Sequence, residues 1–279
     1  MKNILIPTDF SENSWNAIAY GLSLFKKTKC TFHLTHVSPV LAASAGEMAM
    51  VLPPEIMEEN LLKESLKKLD TLLERIEKLP FNTKHEFHTS ANYGFFIDHI
   101  KNDVATKKID LIIMGTKGAS GIKKVALGSN TGHVITKVKC AVLAVPEETS
   151  YHKPQRIGFP TDYIIDYDLN ILALLKDVSL LTNAELNFLH IESKHETMSA
   201  LQLKNKEFLA HYFKKITHNF SNLESHNLDT AIDRFIRTEK VDMLVMVAKN
   251  LNFLERILFR PTVEDISYHI SIPFLVLHE

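Results

Sequence analysis

The chain repeats itself. The run Ile4-Leu-Ile-Pro7-Thr8-Asp9-Phe10 returns as Ile157-Gly-Phe-Pro160-Thr161-Asp162-Tyr163, and Phe32-His-Leu-Thr-His36-Val37 returns as Leu186-Asn-Phe-Leu-His190-Ile191. Further on, Asp110-Leu-Ile-Ile-Met114 is matched by Asp242-Met-Leu-Val-Met246, and Ala141-Val-Leu-Ala-Val145 by Pro273-Phe-Leu-Val-Leu277. From Asp110 onward the halves align without a gap, and at their amino ends they align again at a different offset. The second copy is therefore shorter in its middle, where the first carries an insertion, 39–59, rich in Ala and Met. A polar stretch near Glu147 to Pro154 separates the copies. Two domains are expected, 1–148 and 154–279.

Within each copy, short apolar runs alternate with helical patterns. In the first half the pattern predicts strands near 3–8, 30–37, 83–89, 109–114 and 141–145. Helices are predicted near 12–27, 54–78, 93–107 and 128–138, with Ser11 as a helix cap. Runs such as Leu111 to Met114 are apolar throughout, as they are when helices cover both faces of a parallel sheet. The β-α-β-α order predicts an α/β fold of two tandem, doubly wound parallel-sheet domains. The last strand of each copy is short and apolar, an edge that tends to find a partner. Pairing Ala141 to Val145 with Pro273 to Leu277 inside one chain would give an intramolecular pseudo-dimer. A homodimer of such pseudo-dimers is a further possibility, with the insertion as a contact surface, a lid, or simply a helix start packed on its own domain.

Composition narrows the function. The chain has 279 residues, 45% of them hydrophobic and 23% charged, as in ordinary globular proteins. Its 32 basic and 33 acidic side chains give no bulk attraction to nucleic acid or to an anionic membrane. Cys30 and Cys140 are the two cysteines, too few for a disulfide framework, and read as buried thiols at strand starts. No secretory signal or long apolar stretch is seen, so a cytoplasmic protein is expected. His85 and His88 lie three apart on a predicted strand and point to opposite faces, as do His33 and His36, so no metal site is expected.

The chemistry-bearing motif follows the run Leu111 to Met114: Gly115-Thr-Lys-Gly118, nine intervening residues, then Gly128-Ser129-Asn130-Thr131. A buried strand ends in glycines, crosses a loop carrying Lys117, Lys123 and Lys124, and reaches a hydroxyl at a helix start. Glycine allows close backbone approach, and a helix N-terminus offers unpaired N–H donors and a positive dipole end to phosphate. Pro7-Thr8-Asp9 closes the first strand, and in doubly wound sheets ligands bind beyond the carboxyl ends of strands where strand order reverses. Each piece has a plainer reading. Pro-Thr-Asp is commonly a helix cap, a single glycine permits a turn, and loop lysines are commonly solvated.

Taken together, these motifs make both halves resemble the universal stress protein family, and the whole chain its tandem members. The spacing Gly115-x2-Gly118-x9-Gly128-Ser129 is similar to the glycine pattern of the family's ATP-binding branch. The resemblance implies an adenine nucleotide alpha hydrolase-like fold and ATP as cofactor, with Mg as its counter-ion. It places Thr8, Asp9 and Val37 at the adenine and ribose end, and Met114, Gly115, Gly118, Gly128, Ser129 and Thr131 around the phosphates. Asn130 stands where the family often has an apolar residue. In the second half Val247, Asn250, Arg260 and Pro261 replace the three glycines and the serine, so that half is expected to bind no ATP. The leading expectation is a nucleotide-responsive binding module with a protein partner. The alternatives are a slow ATPase or nucleotide-dependent enzyme, and a nucleotide-free scaffold.

Overall fold

The periodicities resolve, in a computed structural model, into ten strands and seven helices among the described residues, which are 1–40, 53–116, 129–164, 167, 169–192, 197–225, 228–248 and 271–278. The first half runs β1 (Lys2–Pro7), α1 (Glu12–Leu24), β2 (Cys30–Ser38), α2 (Pro54–Glu77), β3 (His85–Tyr93), α3 (Phe96–Lys107), β4 (Leu111–Gly115), α4 (Ser129–Lys137) and β5 (Val142–Val145). The second runs β6 (Arg156–Pro160), α5 (Leu169–Thr182), β7 (Glu185–Glu192), α6 (Ala200–Tyr212), β8 (His218–Glu224), α7 (Leu228–Thr238), β9 (Met243–Val247) and β10 (Phe274–Leu277).

All ten strands form one sheet in the order β3-β2-β1-β4-β5-β10-β9-β6-β7-β8. Every neighbouring pair is parallel except β5 and β10, which meet antiparallel with Leu143 opposite Leu275. The expected internal pairing of the two terminal strands is therefore found, and the halves are joined as a pseudo-dimer. Both strands are apolar at every position, VLAV and FLVL, and fully buried, so each removes the other's exposed edge.

Alternation along the strands divides the first-half core. Ile4, Ile6 and Ile113 pack with Ala17 and Ile18 of α1 and Leu69 of α2. Leu5, Ile112 and Met114 pack on the opposite face with Ile100 of α3 and Val134 of α4. Ser11 caps α1 by accepting from the Ser14 N–H, as its sequence position predicts. Of the insertion, 41–52 lies outside the described residues, while Pro54 opens α2 where its fixed φ suits a first helical turn. The third strand is longer than its sequence suggests. Pairing with β2 carries it to Tyr93, and Gly94 at φ 143 makes the turn that delays α3 to Phe96.

The chain between the halves is fastened down. Asn16 Nδ2 donates to the carbonyls of Pro146 (3.1 Å) and Thr149 (2.9 Å), and Thr149 Oγ1 donates to the Ser271 carbonyl at 2.8 Å. Tyr151 meets Tyr20 of α1 edge-on at 5.1 Å.

Candidate functional site

The first-half sheet reverses its strand order between β1 and β4. β2 and β3 lie on one side of β1, and β4 and β5 on the other. In the β1–β4 register Leu5 faces Ile112, and continuing it brings Thr8 level with Gly115. The two motifs singled out in the sequence thus end at one crevice. Thr131 Oγ1 donates to the Gly115 carbonyl at 2.7 Å, which pins the first turn of α4 against the end of β4. Gly118, Gly128, Lys117, Lys123 and Lys124 lie outside the described residues.

The turn after β1 is a closed hydrogen-bond circuit. Ser14 Oγ donates to the Ser11 carbonyl at 2.8 Å, so the proton between Thr8 Oγ1 and Ser14 Oγ, 2.9 Å apart, belongs to Thr8. Thr8 Oγ1 in turn accepts from the Phe10 N–H at 3.0 Å. The buried Thr8 hydroxyl is engaged on both counts and shapes the crevice by holding backbone. Asp9 is exposed at the mouth, and its Oδ1 accepts from Ser11 N–H (3.1 Å) and Ser11 Oγ (2.6 Å). Phe10 sits in the left-handed region at φ 63 with its ring 4.5 Å from that of His36. Lys68 of α2 lies over the same ring, 5.7 Å from its centroid.

The remaining candidates divide by what they face. Val37, half-buried, lies beside Asn92 near the carboxyl ends of β2 and β3. Met114 sends its side chain into the core under α3 and α4, leaving backbone at the crevice. Gly115 faces α1: a Cβ there would lie 2.7 Å from Asn13 Cγ and Nδ2, so the Asn13 side chain would have to shift to admit one. Thr131 is buried, whereas Ser129 and Asn130 are exposed at the start of α4, where helix N–H groups have no intrahelical acceptor.

The second half repeats this framework with different side chains; Asn250, Arg260 and Pro261 lie outside the described residues. β6 and β9 are adjacent, and the register of Gly158 with Leu244 carries Thr161 level with Val247, where the first half has Gly115. Tyr167, six residues after Thr161 as Ser14 is after Thr8, hydrogen-bonds the Thr161 hydroxyl with its phenol, and burial pushes that phenol's pKa up. Helix α6 then grips the turn. Gln202 Nε2 donates to the Asp162 carbonyl at 2.9 Å and Asn205 Nδ2 to the Tyr163 carbonyl at 2.7 Å. Tyr163 is fully buried, where its counterpart Phe10 is half-open.

Sequence reasoning did not find Tyr167, Gln202 or Asn205, nor the part played by His36, whose Nδ1 lies 2.7 Å from the Thr8 carbonyl. The signal for His36 was present, since His190 repeats it. His85 and His88 do point to opposite faces. His85 packs edge-on against Phe32, and His88 stacks on His33 at 5.5 Å. Burial, with Lys107 and His88 nearby, lowers the His33 pKa. Among the described residues no group of three His, Cys, Asp or Glu is placed to hold a metal ion. Cys30 and Cys140 are free, buried thiols, their pKa values pushed by burial up to about 11 and about 12.

Comparison with known proteins adds to this geometry. The sequence model of the universal stress protein family matches residues 1–146. A universal stress protein of Methanocaldococcus jannaschii is 31% identical over 147 residues, covering 52% of this chain and 81% of that protein. One from Bacillus subtilis is 25% identical over 149 residues, covering 52% of this chain and 98% of its own. Among solved structures, a universal stress protein from Archaeoglobus fulgidus superposes with a TM-score of 0.73 at 18% identity, over 98% of this chain and 97% of its own, a likeness of fold.

Proposed function

The chain belongs to the universal stress protein family, and on that footing we propose that its first half binds ATP in the crevice between β1 and β4, with Mg as counter-ion. The observation that carries this reading is the contrast between two equivalent crevices in one molecule. In the first, Asp9 and the start of α4 are exposed, and the Thr131–Gly115 bond holds the first turn of α4, with its unpaired N–H groups, at the end of β4. In the second, Val247 packs into the core, Tyr167 bonds the Thr161 hydroxyl, and the α6 amides hold the carbonyls of the turn after β6.

An adenine nucleotide fits the first set of groups. Asp9 and Val37, with Thr8 shaping the turn, take the adenine and ribose end, where a carboxylate accepts from an amino or hydroxyl group. Gly115, Gly118, Gly128, Ser129 and Asn130 take the phosphates with backbone and hydroxyl donors, while Met114 and Thr131 hold the strand and helix that present them. The two domains we assign are 1–148 and 154–279, the second binding no nucleotide and serving as structural partner. The protein then works as a cytoplasmic, nucleotide-responsive stress module, with a protein partner reading the bound state.

Calorimetric titration of the nucleotide-stripped chain with ATP, beside a Gly118→Val variant, tests this. One site per chain that vanishes in the variant is expected. Two sites would refute the assignment of the second half. No binding would refute the nucleotide reading and leave a duplicated scaffold.

A further inference from the structure

The balance of 32 basic and 33 acidic side chains hides a segregation. At the amino ends of the first-half strands, every strand is led by a lysine: Lys84 before β3, Lys29 before β2, Lys2 opening β1, Lys108 ahead of β4 and Lys139 ahead of β5. These lysines follow one another along the sheet edge. Cys30 N–H donates to the Lys84 carbonyl, Lys2 N–H to the Lys29 carbonyl, and Asn3 Nδ2 to the Lys108 carbonyl. Neighbouring strands are about 4.8 Å apart, so the row spans roughly 20 Å. Exposed Lys26, Lys27 and Lys78 flank it, against the exposed acids Glu77, Glu86 and Asp110. Only Lys2 is drawn off, by Asp177 at 2.8 Å; the other seven are in no ion pair among the described residues.

Among the described residues the second half has no such row. Its strand starts mix Lys214, Lys215 and Lys240 with Glu185, Glu239 and Asp242, and the Asp242 carboxylate is tied to the backbone N–H groups of Gln155 and Arg156. Because β5 and β10 run antiparallel, the amino ends of the two halves also face opposite ways. The basic edge is a property of one half and one end.

An apolar tip stands at the β3 end of this row. Leu79-Pro80-Phe81, between Lys78 and Lys84, is exposed at all three positions, with Phe81 91% exposed. Asn82 Nδ2 and Lys84 Nζ donate to the carbonyls of Lys26 (2.9 Å) and Lys27 (3.0 Å), which bolts the α2–β3 connection to the lysine-rich turn after α1. A large aromatic held out in water beside the exposed Lys26, Lys27, Lys78 and Lys84 matches a bilayer interface, with the ammonium groups at the level of the phosphates and the ring among the acyl chains. The cations are all lysine, point charges lacking the planar fork that reads nucleic-acid phosphates, and a lone projecting ring is no stacking platform.

We propose that this lysine-rimmed tip, centred on Phe81, docks the protein on an anionic phospholipid bilayer. The proposal is independent of nucleotide binding and lies at the opposite end of the first-half sheet from the crevice. Its test is co-sedimentation of the full chain with phosphatidylcholine vesicles, with and without phosphatidylserine, at about 0.1 M and about 0.5 M salt. Binding is expected with phosphatidylserine at low salt, weaker by about tenfold or more in a Lys26→Glu/Lys27→Glu/Lys29→Glu variant and by about threefold in Phe81→Ser. All four positions are exposed, so folding is checked simply, by a melt of the single tryptophan, Trp15. A Lys214→Glu/Lys215→Glu variant is expected to bind as the wild type does. Equal binding to neutral vesicles, no binding to anionic ones, an unaffected triple variant, or release from vesicles by single-stranded RNA that binds more tightly would each overturn the proposal.

Discussion

His36 holds Thr8: its Nδ1 lies 2.7 Å from the Thr8 carbonyl oxygen, and His190 makes the same contact with Thr161 at 3.0 Å. A carbonyl cannot donate, so Nδ1 carries the hydrogen in both rings. Each ring also lies against the residue two places further on, Phe10 at 4.5 Å and Tyr163 at 5.1 Å, both held at positive φ (63 and 57). That conformation costs about 1–2 kcal/mol for a residue with a Cβ, and the histidine contacts offset it. His36→Leu is expected to lose about 1–2 kcal/mol of stability. It is also expected to weaken ATP binding, because Asp9 lies between the two fixed points. His36→Asn, with an N–H near the Nδ1 position, recovers most of both. His190→Leu destabilises similarly and leaves nucleotide affinity unchanged. Thermal melts and calorimetry on the three variants check this, and equal affinity in His36→Leu would contradict it.

Gly115 and Asn13 cannot both carry full side chains where they stand, since a Cβ on Gly115 would sit 2.7 Å from Asn13 Cγ. Gly115→Ala is expected to cost about 1–3 kcal/mol by overpacking. Asn13→Ala in the same chain relieves the clash, and a double-mutant cycle should show a coupling of about 1 kcal/mol or more. The cycle separates two reasons for the glycine. If the double variant regains stability but not ATP affinity, the ligand also needs the space. If it regains both, the glycine serves α1 alone.

The parts of the fold written locally were the parts legible in the sequence. Apolar runs such as Leu111 to Met114 marked central strands because both faces are buried, and the matching last strands foretold the β5–β10 pairing. The end of β3 was not legible, because pairing with β2 up to Ser38 and Tyr93 outweighs the turn propensity that stopped the strand early. At the site, Thr8, Asp9 and Gly115 could be brought together from spacing and strand order. What spacing cannot show is contact across strands and helices. Asn13 against Gly115, His36 on Thr8, and Tyr167 in the place of Ser14 each need a register or a helix position. The lysine row likewise emerges only when the strand order 3-2-1-4-5 lines up residues from 2 to 139.

Acid should destabilise this protein through histidines as well as carboxylates. Burial lowers the pKa of His278, at the end of β10, from 6.5 to about 4. His33 and His85 are also lowered, each chiefly by burial, with Lys107 and His88 adding to the effect at His33. For a depressed histidine the folded state favours the neutral ring. Its contribution is therefore fully present above the unfolded value of 6.5 and is lost as pH falls towards the folded value. Stability is expected to decline from about pH 6.5 downward, His278 alone accounting for roughly 3 kcal/mol by pH 4. Denaturant unfolding at a series of pH values checks the slope. A His278→Leu variant should flatten it between pH 6.5 and 4, and an unchanged slope would exclude His278 as a source.

Leu143 and Leu275 sit opposite each other in the β5–β10 pair, each 1% exposed, with Phe274 facing Ala144 and Val276 facing Val142. Fully burying a side chain of this size is worth about 1.5–3 kcal/mol, so the pair and its neighbours form a substantial joint between the halves. A charge placed there has no partner and no water. Leu275→Lys is expected to cost about 3 kcal/mol or more. The joint also predicts how the molecule melts. Trp15 reports on the first half, packed under Arg75 at 4.0 Å, while circular dichroism reports on both halves. In the wild type the two signals should follow one transition, because unfolding either half strips the other's terminal strand. In Leu275→Lys they should separate, the first half outlasting the second, since β10 also pairs with β9 and lies within the second-half core. Separate transitions already in the wild type would mean that the antiparallel pair joins the halves without coupling them.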